Sequence, residues 1–167
     1  MGGNVELGGA SDREALAYIG LGANLGDSAA VLAFAIEAIG SLPLTRITRR
    51  SSVWKSAPVD AEGPDYLNAV VAASTGLGAA ELLAELQRIE NRAGRKRPYR
   101  NAPRTLDLDL LLFGDATSND PQLTLPHPRM TGRAFVLSPL AEIAPELVTP
   151  KQLAAVAGQR IERLVAP

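Results

Sequence analysis

Residues 106–113 read Leu-Asp-Leu-Asp-Leu-Leu-Leu-Phe. Leucine first recurs at every second position, and then the run becomes wholly apolar. A period of two is that of a β-strand, and the apolar end places this strand in a core. Leu106, Leu108 and Leu110 share one face, and Asp107 and Asp109 the other. Just upstream, Ala79 to Ala93 is helical, with Leu82, Leu83, Leu86 and Ile89 in one stripe and Gly94 where a stop belongs. Further back, Tyr66 to Thr75 (YLNAVVAAST) and Thr45 to Lys55 read as strands joined by a Pro- and Gly-bearing surface loop, Ser56 to Pro64. Leu32, Ala35, Ile36 and Ile39 recur at helical spacing between Ala29 and Ile39, with Asp27 or Ser28 as cap and Gly40 and Pro43 as terminators. Leu16 to Leu21 is a short buried strand.

The order ending at Phe113 is therefore β-α-β-β-α-β. That is the ferredoxin-like pattern, an antiparallel sheet with two helices on one face. Beyond it the chain is Pro-punctuated. Leu123 to Leu125 is extended, Ala134 to Ile143 is helical, and Gln152 to Val156 forms a shorter helix. The expected class is α+β, a βαββαβ core extended C-terminally into an α/β/α three-layer arrangement. Residues 1–15 read as a flexible leader and 16–167 as a single domain.

The 167 residues suit one domain, and 46% hydrophobic residues suit a packed core. No apolar run approaches the roughly 20 residues that span a bilayer, so no membrane association is expected. The N-terminus lacks the pattern of a secretion signal, and the cytoplasm is the expected location. Without Cys there is neither disulfide framework nor thiolate chemistry, and one His excludes a site built on several imidazoles.

The net charge of −1 conceals a division. From Arg88 to Arg104 there are seven Lys and Arg residues and one acid, Glu90, so the window carries +6 and the remainder −7. Arg88 and Arg92 lie in the last turns of a helix, where the dipole favours cations in any case. Arg95, Arg97, Arg100 and Arg104 lie beyond it and gain nothing from the helix. For these, phosphate contact is the better reading.

Asp107 and Asp109 stand roughly 6.6 Å apart on one strand face. That spacing equally describes the polar face of an ordinary amphipathic strand. Their context favours chemistry. A carboxylate pair next to guanidiniums is what a nucleoside triphosphate requires, a hard cation bridging the phosphates and Arg balancing charge that develops on transfer. There is no P-loop and no protein-kinase signature, so any such chemistry uses another scaffold. Tyr66 and Asn68 put a ring and an amide on one strand face, where the amide matches the edge of a base or pterin. Phe135 is a second stacking candidate, although core packing explains either ring equally well. His127, held between two prolines, could donate to a phosphate or polar substrate group.

Several motifs together resemble one family, the 6-hydroxymethyl-7,8-dihydropterin pyrophosphokinases of folate biosynthesis. They are YIGLGANLGD, SAP, GPDYLNAV, RIENRAGR, APRTLDLDLLLFGD and LPHPRMTGRAFVLSPLAEIAPEL, running from Ala17 to about Pro150. The resemblance implies transfer of pyrophosphate from ATP to the pterin hydroxymethyl group, with release of AMP. It implies that Asp107 and Asp109 hold two Mg²⁺ ions, and that Arg95 and Arg104 act on the phosphates. Glu90, Arg97, Arg104, His127 and Arg133 would bind ATP. Ser56, Val59, Tyr66, Asn68 and Phe135 would bind the pterin, the two rings sandwiching it. ATP and the pterin are the expected partners, nucleic acid is not, and a monomer is expected.

Departures are also visible. Asn101 stands where many members have Trp, and Gln122 where some have a basic ATP contact. No general base stands out. The loops Val59 to Pro64 and Arg95 to Asn101 are expected to move when empty and to close over ligands. The rival readings are a ferredoxin-like RNA-binding module, which lacks the paired aromatics of that class, and a non-catalytic metabolite sensor.

Overall fold

A computed structural model describes residues 14–24, 27–57, 65–94 and 106–164. Strand β1 (Ala15–Ala23) leads to helix α1 (Ser28–Gly40), β2 (Thr45–Arg50), β3 (Trp54–Ser56), β4 (Tyr66–Thr75), α2 (Ala79–Ala93) and β5 (Leu106–Phe113). A small hairpin, β6 (Ser118–Asp120) and β7 (Leu123–Leu125), follows. Helices α3 (Ala134–Ile143) and α4 (Pro150–Ala155) and strand β8 (Ile161–Arg163) complete the order.

Local chemistry sets these boundaries. The Asp27 carboxylate accepts from Ala30 N at 3.1 Å and caps α1. Glu81 accepts from Gly78 N at 2.8 Å at the start of α2, and Gly94 N closes its end on Glu90 O. Thr149 and Gln152 form a reciprocal capping box around Pro150, which starts α4 two residues earlier than the apolar pattern indicates.

The main sheet runs β5-β1-β4-β3-β8, with β2 also paired to β4, and all its pairings are antiparallel. The expected α+β class and antiparallel sheet are present. The segment Thr45 to Lys55, expected as one strand, is two. At the break Ser51 N donates to Val70 O, while the Ser51 hydroxyl replaces a backbone carbonyl and accepts from Val70 N at 2.9 Å. The freed Ser52 turns to Glu142 on α3.

Alternate strand residues feed two cores. Ala17, Ile19, Leu21, Val71, Ala73, Leu106, Leu108 and Leu110 pack with the stripes of α1 and α2. Tyr18, Val70, Ala72 and Leu111 pack with Val136, Leu137, Leu140 and Ile143 of α3. The central strand β4 is buried from Asn68 through Ala73, as expected of a strand covered on both sides.

On the α3 side one row crosses the sheet. Asp107 lies opposite Gly22, Gly22 opposite Asn68, Asn68 opposite Trp54, and Trp54 opposite Arg163. Asp109 lies opposite Gly20 in the next row.

Candidate active site

Two glycines open a space on this face. β1 presents Gly20 and Gly22 where side chains would otherwise stand, and a glycine inside a strand commonly marks close approach of another group. A Cβ at position 22 would lie 3.4 Å from Asn68 Oδ1. Above them is a cavity of about 360 Å³, in the range of small-molecule sites. β5 contributes Asp107 and Asp109 to its wall, β4 contributes Tyr66 and Asn68, and β3 contributes Ser56. The start of α3 contributes Arg133, Phe135 and Val136. The Arg133 guanidinium stacks over the Phe135 ring, 5.4 Å from its centroid.

The Asn68 side chain is held in place. Its Nδ2 donates to Ser56 Oγ at 2.8 Å and to Trp54 O at 3.3 Å. That leaves Oδ1 beside Gly22 as an acceptor, so a ligand edge read here must offer N–H groups.

A second cavity, of about 220 Å³, also has Asp109 in its wall. Its wall includes Asp109, Leu108 and Leu110 of β5, Gln122 and Thr124 of the hairpin, His127 and Pro128. Asp109 belongs to both cavities.

His127 is tied to β5 through its own backbone, His127 N donating to Leu111 O at 2.9 Å. Its Nδ1 accepts from Arg129 N at 3.2 Å, which puts the neutral ring's proton on Nε2. Nε2 stands 3.8 Å from Asp109 Oδ1. Burial holds the imidazole below its usual pKa, and Arg133 and Arg129 act in the same direction against the opposing pull of Asp109.

Glu90, on the last turns of α2, accepts from Leu108 N at 2.7 Å. Among the described residues β5 ends the sheet, so this carboxylate satisfies an amide of an edge strand.

The sequence from residue 18 to 145 matches the family model for 7,8-dihydro-6-hydroxymethylpterin-pyrophosphokinase. The chain belongs to this family. Among similar relatives, the 2-amino-4-hydroxy-6-hydroxymethyldihydropteridine pyrophosphokinase of Haemophilus influenzae is 47% identical over 135 residues, covering 80% of this chain and 84% of the relative. The Bacillus subtilis pyrophosphokinase of the same name is 43% identical over 133 residues, covering 79% of this chain and 80% of the relative. A solved HPPK-DHPS structure from Plasmodium falciparum shares the fold, with a TM-score of 0.65 at 15% identity. The match covers 81% of this chain and 43% of that longer one.

Of the residues expected in a pyrophosphokinase site, the larger cavity gathers Ser56, Tyr66, Asn68, Asp107, Asp109, Arg133 and Phe135. His127 shares the smaller one with Asp109. Arg133, expected beside ATP with His127, lines the same cavity as the candidate pterin-binding rings. Val59, Arg95, Arg97 and Arg104 lie outside the described residues, as do the loops expected to close. Sequence reasoning passed over Gly20 and Gly22 as cavity formers. The available signal was glycine at alternate positions within a strand (Ile19-Gly20-Leu21-Gly22).

Proposed function

We propose that this chain transfers pyrophosphate from ATP to the hydroxymethyl group of 6-hydroxymethyl-7,8-dihydropterin, as a Mg²⁺-dependent cytoplasmic monomer. The observation that carries the proposal is that Asp109 lines two cavities. A reaction joining two substrates needs both in contact with one reacting centre.

In this reading the larger cavity takes the pterin. Tyr66 and Phe135 supply faces for the bicyclic ring, and Asn68 Oδ1 accepts from N–H groups on its edge. The smaller cavity, with His127, takes the nucleotide side. His127 acts as a donor there. Its Nδ1 lone pair is already engaged by Arg129 N, so the Nε2–H is what it offers a phosphate oxygen. That arrangement gives the ring no free lone pair, and it is not a general base. Arg133, stacked on Phe135, brings positive charge to the boundary between ring and phosphates.

The donor set suits magnesium. Asp107 and Asp109 are hard oxygen ligands on one strand face, and no group of three or more His, Cys, Asp or Glu that could hold a metal occurs among the described residues. Magnesium characteristically takes one or two carboxylates and completes its shell with phosphate oxygens and water. Two ions bound by Asp107 and Asp109 would arrive with the triphosphate, supplying Lewis-acid stabilisation of charge on the transferring group. The pterin oxygen forms its bond to the β-phosphorus, the bond from that phosphorus to the AMP oxygen breaks in line, and the hydroxyl proton leaves to water or a phosphate oxygen. Arg95 and Arg104 act on the phosphates, Arg97 and Glu90 contribute to ATP binding, and Val59 lines the pterin side. The same reading takes the architecture as a ferredoxin-like βαββαβ core, with α3 making a third layer.

Incubation with ATP, Mg²⁺ and the hydroxymethyl dihydropterin tests the proposal. AMP and the pterin pyrophosphate are expected. Release of ADP would replace it with simple phosphoryl transfer, and no turnover with tight pterin binding would favour a sensor.

A further inference from the structure

Helix α3 carries Phe135 and Val136 into the larger cavity, and Arg133 is its N-cap. The Arg133 side chain makes no capping hydrogen bond to this helix. An uncapped helix start leaves orphan amides, and the Ala134 amide would be one of them. Its partner comes from a distant part of the chain. Gln159 Oε1 accepts from Ala134 N at 2.8 Å, and Gln159 Nε2 donates to Gly132 O at 2.9 Å. One side-chain amide thus grips the backbone on both sides of Arg133.

Gln159 is itself fixed. Its N donates to Val156 O, and Val156 is buried in the core beneath α3. Immediately after it, Ile161 to Arg163 joins the sheet beside β3, the strand that carries Ser56. Gln159, Val156 and Ile161–Arg163 lie beyond residue 145, where the match to the family model ends.

We propose that Gln159 is a positioning residue for the pterin wall. It holds the Gly132–Ala134 segment so that Arg133 stays stacked on Phe135 and both face the cavity. The inference rests on the pterin reading of that cavity. Loss of the grip frees the segment to rotate, so pterin affinity falls, while Asp107, Asp109 and His127, which the segment does not carry, keep their places.

The test uses the full chain and three variants, Gln159→Ala, Gln159→Glu and Gln152→Ala. Gln159→Ala is expected to weaken pterin binding about three- to tenfold, the effect of one or two ordinary hydrogen bonds, with kcat changed less than about twofold. Gln159→Glu keeps the acceptor for Ala134 N and loses the donor to Gly132 O, so it should restore part of the affinity. Gln152→Ala removes the Gln152 side-chain half of the capping box of α4 in the same C-terminal segment. It should lower Tm without changing pterin affinity. Amide hydrogen exchange at Ala134 gives a readout that needs no ligand, with protection in the wild type and in Gln159→Glu and loss in Gln159→Ala. Unchanged pterin affinity in Gln159→Ala, or an Ala134 amide that stays protected in it, overturns the proposal. If the wild type makes no AMP, the pterin reading falls, and the exchange measurement still decides whether Gln159 holds the segment.

Discussion

The Nε2 of His127 stands 3.8 Å from Asp109 Oδ1, with the ring's other nitrogen already accepting from Arg129 N. His127 is the only histidine of the chain, so its titration can be followed without overlap. Burial lowers its pKa from the usual 6.5, helped by Arg133 and Arg129 and opposed by Asp109. The unfolded ring binds a proton more readily than the folded one. Stability associated with the neutral ring is therefore present above about pH 6.5 and lost as pH falls through the lower folded value. The C–H resonances of the imidazole should titrate with a midpoint below 6.5, and Tm should decline with acid in that window. In His127→Gln the decline should flatten. A midpoint above 6.5 in the free protein would mean that Asp109 outweighs burial.

Asp109→Asn preserves shape and removes a charge from a residue common to both cavities. Turnover should fall by roughly two to three orders of magnitude, the usual cost of removing a preorganised electrostatic group. Pterin binding should stay within about twofold of wild type. Chelating Mg²⁺ from the unmodified protein should reproduce both effects. Calorimetry with pterin, alongside AMP release, separates the two quantities.

Gly22 lies between Asp107 and Asn68 in the row across the sheet. A Cβ there meets Asn68 Oδ1 at 3.4 Å, so alanine fits with little adjustment. Valine adds two methyl groups to the cavity floor. Gly22→Ala should bind pterin a few-fold more weakly, and Gly22→Val should lose binding while remaining folded. Circular dichroism with a binding titration checks both. Undiminished affinity in Gly22→Val would place the pterin elsewhere.

Glu142 of α3 accepts from Ser52 N and Ser52 Oγ and from the indole Nε1 of Trp54. Burial acts against its charge, but the bonds from the Ser52 hydroxyl, the indole and the Ser52 amide, with the field of Arg163, prevail and lower its pKa from 4.5. The resulting stability is present above about pH 4.5 and lost as pH falls through the folded value. Glu142→Ala should cost about 1–2 kcal/mol, at the low end for bonds to a charged group because the carboxylate is exposed. Trp54 is the only tryptophan, and its fluorescence should shift in the variant at neutral pH.

Long periodic segments were legible in the sequence because burial and period agree there. The bounds Tyr66–Thr75, Ala79–Ala93, Leu106–Phe113 and Ala134–Ile143 match the structure. The division of Thr45–Lys55 was hidden, since it depends on Ser51 meeting Val70 and Ser52 meeting Glu142, contacts across the fold that no local pattern encodes. β8 is only Ile161–Arg163, too short to show alternation. Among the site residues, the acids and rings could be named from residue type and motif. That Arg133 shares a cavity with Phe135, and that Asp109 lines two cavities, depends on how sheet and helix meet.

The row Asp107–Gly22–Asn68–Trp54–Arg163 also bears on biosynthesis. A ribosome delivers these residues in the order 22, 54, 68, 107, 163, and the sheet must then sort them into a different spatial order. Neighbours in the row come from distant parts of the chain, and the cavity above it also needs Arg133, Phe135 and Val136, so the binding surface is complete only after α3 has emerged and docked. A ligand that recognises this surface stabilises finished molecules and gives nothing to stalled or clipped ones. Substrate supply would then protect completed chains from proteolysis selectively, leaving partial chains to be cleared.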